Sequence, residues 1–413
     1  MFKNDDIATS KKKLGWYEVK GTKYSNKYHA LEQCGPGEWP KWNFHDEEYS
    51  KEPWHTEPAE DLYELYRQRA MQLRLKYQNV ILYYSGGIDS HAILNTFIDA
   101  KIPLDGIIVS GSFSLNEDLT QGCNQEQQRV AKPYLDSLVA QGLITCPIHY
   151  LDTVDFHKKF EDENWVYACG QALTPQVYSY NFFWQDPWIQ KFLLQGTTCF
   201  IRGIDKPRVI LENGKWYASF LDVYIMSGTP TGELSKKQDW DIQEYFFWTP
   251  EFTKIVNKQA HTLINWFEAN LTETECEKIT TKEATFKRGE YNKYVDPLVY
   301  GRYVQQEIGG DKTYFSLGKP FSANLWHKDF WFFKAKDVME KEYQTWVAGL
   351  KMVSTKITSD HFNTQSFDDQ QQLATFLKQY NLGPELMDVN DALFGTLGIW
   401  SQFHYIKDAK FNG

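Results

Sequence analysis

The sequence predicts an α/β fold, a doubly wound and mainly parallel sheet followed by a largely helical C-terminal region, and three observations carry that reading. Four short apolar runs alternate with stretches of helical spacing, as strands joined by crossover helices do. A glycine turn, Ser85-Gly86-Gly87-Ile88-Asp89-Ser90, sits directly between one such run and the helix pattern after it. Past residue 225 the texture changes, and charged stretches alternate with aromatic helix patterns.

Residues 1–59 mix aromatics with prolines and charges, as in Trp39-Pro40-Lys41-Trp42-Asn43-Phe44 and Trp54-His55-Thr56-Glu57-Pro58, and are expected to run irregularly over a neighbouring surface. The core is expected over residues 60–225. It opens on an amphipathic helix at 60–78, where Leu62, Leu65, Tyr66, Ala70, Leu73 and Leu75 fall among Arg, Lys and Glu. Val80-Ile81-Leu82-Tyr83-Tyr84 is continuous, apolar and β-prone, as a strand buried on both faces of a parallel sheet should be. After the glycine turn, Ala92, Ile93, Leu94, Phe97 and Ile98 recur at helical spacing. Gly106-Ile107-Ile108-Val109-Ser110 reads as the second strand, and 124–140 as a helix with Pro133 as the point where it would kink.

The third strand, Ile144 to Leu151, contains Pro147, which cannot donate to a ladder, so an edge position or an irregularity is expected there. A helix at 185–195 starts behind Asp186-Pro187, and Thr198-Cys199-Phe200-Ile201-Arg202 is the fourth strand. Val209 to Glu212 and Lys215 to Ala218 flank Asn213-Gly214, a strong hairpin signal. Residues 226–413 are expected to form a mainly helical region over the ligand site, with Phe252 to Phe267 as one helix. Between Leu393 and Ile406 a strand or hairpin is expected to return to the body of the protein.

Composition narrows the function classes. A chain of 413 residues is long enough for two domains, or for one large domain with additions, and can bury a substantial core. A net charge of −10 argues against a broad nucleic-acid surface and leaves room only for a local basic groove. The start Met1-Phe2-Lys3-Asn4-Asp5-Asp6 has no apolar signal core, and no stretch approaches eighteen uninterrupted apolar residues. No membrane partner and a cytoplasmic location are therefore expected. Cys34, Cys123, Cys146, Cys169, Cys199 and Cys276 form no C-x-x-C pair, which favours reduced thiols over a zinc knuckle, a disulfide framework or an iron–sulfur cluster. Aromatics reach 16% with 15 Trp, and core or interface packing explains them better than stacking on a planar ligand.

The glycine turn is where chemistry is expected. Gly86 and Gly87 let the backbone approach a ligand without a Cβ in the way, and the helix N-terminus behind them offers unpaired N–H groups and the positive end of its dipole. Ser85 and Ser90 add hydroxyl donors, and Asp89 supplies an oxygen for Mg²⁺ beside phosphates. An ordinary turn capped by Asp89 and Ser90 is the plainer alternative. The run resembles the SGGxDS signature of the PP-loop ATP pyrophosphatases, whose nucleotide-binding core is Rossmann-like. The other phosphate loop, G-x-x-x-x-G-K-[ST], is not found, so γ-phosphoryl chemistry has no support.

That resemblance carries further expectations. Members of the superfamily mostly bind ATP and cleave it between the α- and β-phosphates, and many transfer AMP to a carbonyl or carboxyl oxygen before a nucleophile displaces it. It implies ATP and Mg²⁺ as cofactors, with Ser85, Gly86, Gly87, Ile88, Asp89 and Ser90 as the pyrophosphate cradle and Asp89 as metal ligand. It also implies that backbone groups of Val109, Ser110 and Gly111, at the end of the second strand, meet the adenine.

Gly203-Ile204-Asp205-Lys206-Pro207-Arg208 leaves the fourth strand at its carboxyl end, where open α/β sheets keep their ligands. Gly203 is assigned there to nucleotide binding and Lys206 to charge on the α-phosphate or departing pyrophosphate. Asp205 would hold a metal or orient Lys206, and Arg208 and Arg202 are further candidates. A solvated turn opening the hairpin is the plainer alternative. Gln171 and Gln176 would read a polar substrate group or lie in a surface loop, and Lys258 with His261 and Trp326-His327-Lys328-Asp329 are explained as well by solvated faces.

Asparagine synthetase-like members carry a helical region after the ATP core, which suits the second half of this chain. Those enzymes often expose a nucleophilic cysteine once Met is removed, whereas residue 2 is Phe and only residues 1–84 precede the loop. The expected partners are thus a small-molecule substrate and an amine donor, free or delivered by a separate protein. The pattern also resembles PP-loop proteins of tailed phages, which would place it in the host cytoplasm. Two alternatives stand beside this one. A phosphoadenylylsulfate reductase-like enzyme would want a C-terminal Glu-Cys-Gly motif, but the last cysteine lies in Thr274-Glu275-Cys276-Glu277-Lys278. A sensor or interaction module would bind ATP without turnover.

Overall fold

The structure is a computed structural model that describes residues 15–24, 26–35, 38–114, 127–159, 161–167, 179–203, 206–222, 243–287, 289–303, 308, 340–356 and 399–411. Its first elements correct the expectation of irregular chain before residue 60. Trp16–Val19 (β1), Thr22–Tyr24 (β2) and Lys41–Asn43 (β3) form an antiparallel sheet in the order β2-β1-β3. Alternation explains β1: Tyr17 and Val19 are buried, Trp16 and Glu18 half-buried, and the Trp42 ring of β3 lies 4.7 Å from that of Tyr17.

Leu62–Lys76 (α1) is the expected amphipathic helix. Asp61 caps it by accepting from the Glu64 amide at 2.8 Å, and Leu62, Leu65, Tyr66, Ala70 and Leu73 are buried. Leu75, expected on the same stripe, is exposed.

Strands and helices then alternate: Asn79–Tyr83 (β4), Ile88–Asp99 (α2), Gly106–Gly111 (β5), Lys132–Ala140 (α3), Ile148–Asp152 (β6), Pro187–Gln195 (α4) and Thr198–Arg202 (β7). The hairpin of Arg208–Glu212 (β8) and Lys215–Ser219 (β9) follows, its turn made by Asn213 and Gly214 at φ of 51° and 68°. Gln243–Tyr245 (β10) is a strand that the sequence did not lead one to expect. One five-stranded sheet runs in the order β10-β7-β4-β5-β6, and every pairing in it is parallel.

The sheet is covered on both faces. Val80 and Leu82 of β4 share a buried cluster with Ile93, Leu94 and Phe97 of α2 and with Leu135 and Leu138 of α3. On the opposite face Trp188 of α4 packs so closely on Gly106 and Ile81 that a Cβ on Gly106 would lie 2.6 Å from the indole. The chain winds outward from β4 to β6, then returns to β7 and β10. The strand order therefore reverses between β4 and β7, which is the switch point where such sheets form a crevice.

Local chemistry sets the details. β6 lies at the sheet edge and begins only after Pro147, whose carbonyl accepts from the Ile107 amide at 3.1 Å, so the proline shortens the expected strand without breaking a ladder. Pro133 stands in the first turn of α3, where a missing N–H costs nothing. Asp186 caps α4 through the Trp188 and Ile189 amides at 2.9 and 3.1 Å.

Beyond residue 225 the described chain holds Lys254–Asn270 (α5), Gly289–Tyr300 (α6) and Glu340–Lys356 (α7), with shorter helices at Glu273–Ile279 and Lys282–Lys287. It also gives a strand to each of two sheets. β10 completes the parallel sheet, and His404–Asp408 (β11) pairs with β9 in the antiparallel order β11-β9-β8, the return expected near the end of the chain. No helix among the described residues is long and apolar enough to cross a membrane.

Candidate functional site

The Ser85–Ser90 run lies at the carboxyl end of β4, beside the switch point. Tyr84 still donates to the Ile108 carbonyl at 2.8 Å, and Gly86 then turns the chain with φ of +84°, a conformation that favours glycine. Gly87 is the N-cap of α2 and has no side chain to satisfy the first amides of that helix. The serines close the turn on itself. Ser85 Oγ accepts from the Gly87 amide at 3.1 Å, while Ser90 Oγ donates to the Gly87 carbonyl at 2.9 Å and accepts from the Ser85 amide at 3.2 Å.

The exit of β7 presses against this turn. A Cβ on Gly203 would lie 2.8 Å from Asp89 Cβ and 3.0 Å from the Ser90 nitrogen, so glycine is required for the approach. Three residues on, Lys206 is almost fully buried and reaches back: its Nζ is 2.7 Å from Asp89 Oδ1. Two strand ends thus deliver a cation and a carboxylate to one point.

Sequence reasoning missed what comes from α6. Asp296 Oδ1 lies 3.3 Å from Lys206 Nζ, and Tyr300 donates to Asp89 Oδ1 at 2.7 Å, with its ring 5.3 Å from the ammonium. Asp296 is 4% exposed and Asp89 26%, so Asp89 is the member of the group that meets solvent. The only available sequence signal was an acid and a tyrosine four apart on a helix pattern, which by itself names no partner.

Arg208 is buried with its guanidinium 6.0 Å over the Tyr291 ring, so it packs on α6 beside the Lys206 segment. Arg202 faces the other way along β7, 4.3 Å over the Tyr83 ring and donating to Gln243 at 3.1 Å. Val109, Ser110 and Gly111 occupy the carboxyl end of β5, next to β4. The Ser110 carbonyl accepts from Gln127 at 3.1 Å and the Gly111 carbonyl from the Thr153 amide at 2.9 Å, so two of the three carbonyls there already hold protein donors. Asp205, Gln171, Gln176 and the Trp326–Asp329 run lie outside the described residues.

The remaining titratable groups serve packing. His91, just past the turn, sits 3.2 Å from the Tyr84 hydroxyl, and burial pushes its pKa down to about 3. His261, expected on a solvated face, is buried and bonds the Trp54 carbonyl at 2.9 Å, while Lys258 pairs with Glu57 at 2.6 Å. Burial pushes the Cys146 thiol up to about 11 and the Cys276 thiol to about 12, which suits inert thiols. No group of three or more His, Cys, Asp or Glu is placed to hold a metal among the described residues. No family model, curated protein or solved structure matches the chain.

Proposed function

We propose that the chain is an adenylating enzyme of the ATP pyrophosphatase type, and one observation carries the reading: the Ser85–Ser90 turn and Lys206 meet at the point where the parallel sheet reverses its strand order. The donor set fits a polyphosphate. Amides of the first turn of α2, the Ser85 hydroxyl and the Lys206 ammonium are all donors, concentrated where a helix dipole is positive. The solvent-facing carboxylate, Asp89, suits Mg²⁺, which commonly takes one or two protein carboxylates and completes its shell with phosphate oxygens and water. Bound there, Mg²⁺ would supply charge neutralisation on the phosphates.

The turn would hold the β- and γ-phosphates while a carboxyl or carbonyl oxygen of the substrate attacks the α-phosphorus. Lys206 would balance the charge that grows on pyrophosphate as the α,β bridge breaks. An amine or ammonia would then displace AMP. ATP as substrate implies the cytoplasm, that of the host if the chain is phage-encoded. Thiol chemistry of the sulfonucleotide reductase kind draws no support from the raised pKa values of Cys146 and Cys276.

Calorimetric titration with Mg²⁺·ATP, with AMP and pyrophosphate assayed in the same samples, tests the proposal on wild type and Asp89→Ala. Binding and pyrophosphate release that both vanish in the variant are expected. Tight binding without release under any mixture of carboxylates and amines would favour a sensor, and no binding to wild type would end the nucleotide reading.

A further inference from the structure

Lys206 and Asp89, the two groups that would meet a ligand, are each engaged from a third direction. Asp296 and Tyr300 stand one turn apart on α6 and take one each, at 3.3 and 2.7 Å. The same helix is fastened to the chain just past Lys206, because Tyr291 donates to the Pro207 carbonyl at 3.1 Å and accepts from the Val209 amide at 2.9 Å. Between the two contact residues lies Pro297, inside the helix, which gives no N–H to the ladder and leaves α6 a point at which to bend.

We propose that α6 is a latch on this site: Asp296 and Tyr300 hold Lys206 and Asp89 in a closed, mutually compensated state, and a cation–polyphosphate ligand binds by taking their places. The inference rests on the nucleotide reading of the same site and concerns what such binding must displace. Asp89 and Asp296 both have a carboxylate oxygen within 3.3 Å of the Lys206 ammonium, and the Lys206 and Asp296 side chains are only 3% and 4% exposed. A polyphosphate that reaches Lys206 therefore meets Asp296 as a like charge in a poorly screened place. A divalent cation that reaches Asp89 competes with the Tyr300 hydroxyl for Oδ1. Both contacts oppose binding: the Tyr300 contact is given up when the end of α6 beyond Pro297 moves, and the Asp296 contact, just before the proline, when the helix bends in the turn that precedes it.

Titration of the full chain with Mg²⁺·pyrophosphate and with Mg²⁺·ATP tests this on wild type, Asp296→Asn and Tyr300→Phe. Wild type should bind, and each variant should bind roughly three- to tenfold more tightly, as loss of one competing charge-assisted hydrogen bond would allow. A variant that binds like wild type, or more weakly, overturns the latch, because a merely structural α6 gives no gain in affinity. A wild-type chain that binds neither ligand overturns the nucleotide reading, and the latch with it. If a variant fails to fold, amide hydrogen exchange on wild type decides. Exchange within Gly289–Tyr300 that quickens on adding Mg²⁺·pyrophosphate supports the latch, and exchange that stays the same or slows overturns it.

Discussion

Arg69 and Lys206 are both cations buried against carboxylates from far along the chain, yet the carboxylate nearest Arg69 is itself buried and the one nearest Lys206 opens to solvent. Arg69 of α1 bonds Glu244 of β10 at 2.9 Å, the Tyr245 carbonyl at 3.1 Å and Gln72 at 2.8 Å, and the Tyr77 hydroxyl donates to the same Glu244. Its ion pair is 0% and 1% exposed. Lys206 is nearly as deep, but its partner Asp89 is 26% exposed and stands at a helix N-terminus beside a glycine turn. The same pairing of charges therefore has two uses. Where the nearest carboxylate is itself buried and only the outer members Lys76 and Glu251 reach solvent, the cluster fixes α1 to the sheet; where the nearest carboxylate meets solvent at a helix N-terminus, the cluster is a place a ligand can enter.

The largest effect should come from breaking the Arg69 cluster. Glu244→Ala leaves Arg69 charged and buried with only Glu251, 3.7 Å away, as a carboxylate partner, and should cost about 3 kcal/mol of stability in denaturant titration. Ligand affinity of the protein that remains folded should not change. The converse is expected at the open cluster: Lys206→Met should weaken Mg²⁺·ATP binding by about a hundredfold in calorimetry, the loss typical of removing one member of a desolvated charge contact. It should also cost stability, since Asp296, 4% exposed, loses the ammonium, although Asp89 reaches water and keeps the Tyr300 donor. A Lys206→Met chain that unfolds as readily as Glu244→Ala yet binds normally would erase the distinction between the two clusters.

The same contrast explains what the sequence showed. β7 is read off to the residue, and β4 within one, because apolar β-prone runs flanked by turn residues are local signals. Asn213-Gly214 names its own hairpin because the turn needs positive φ at both positions. The glycine turn at residue 85 is equally local. β10 is not, since Gln243-Glu244-Tyr245 is short and mostly polar, and its buried glutamate is met by Arg69, 175 residues earlier. The three strands before residue 60 are likewise short, and the ring packing between β1 and β3 joins residues 25 positions apart, Tyr17 and Trp42. At the site, Asp89 and Lys206 were legible as residues that chemistry would want. Asp296 and Tyr300 were not, because the hydrogen bond between Tyr300 and Asp89 spans 211 positions.

A smaller effect, of pH, separates the turn's scaffold from its chemistry. His91 lies one residue past the turn, against Tyr84 and with its ring 4.5 Å from that of Tyr134, and burial lowers its pKa from 6.5 to about 3. The folded protein keeps this imidazole neutral where the unfolded chain would protonate it. Its contribution to stability is therefore complete above pH 6.5 and is lost as the pH falls from 6.5 towards 3. Between pH 7 and pH 5.5 the loss from this one group should be about 1 kcal/mol. His91→Phe keeps a ring against Tyr134 and cannot titrate, so its stability should fall by about that much less than wild type's over the same interval. Mg²⁺·ATP affinity at pH 7 should be unchanged, because His91 is 3% exposed and packs beneath the turn against Tyr84 and Tyr134. Equal acid losses in the two proteins would mean that the imidazole is already protonated in the fold, and that the base of α2 is as open as Asp89.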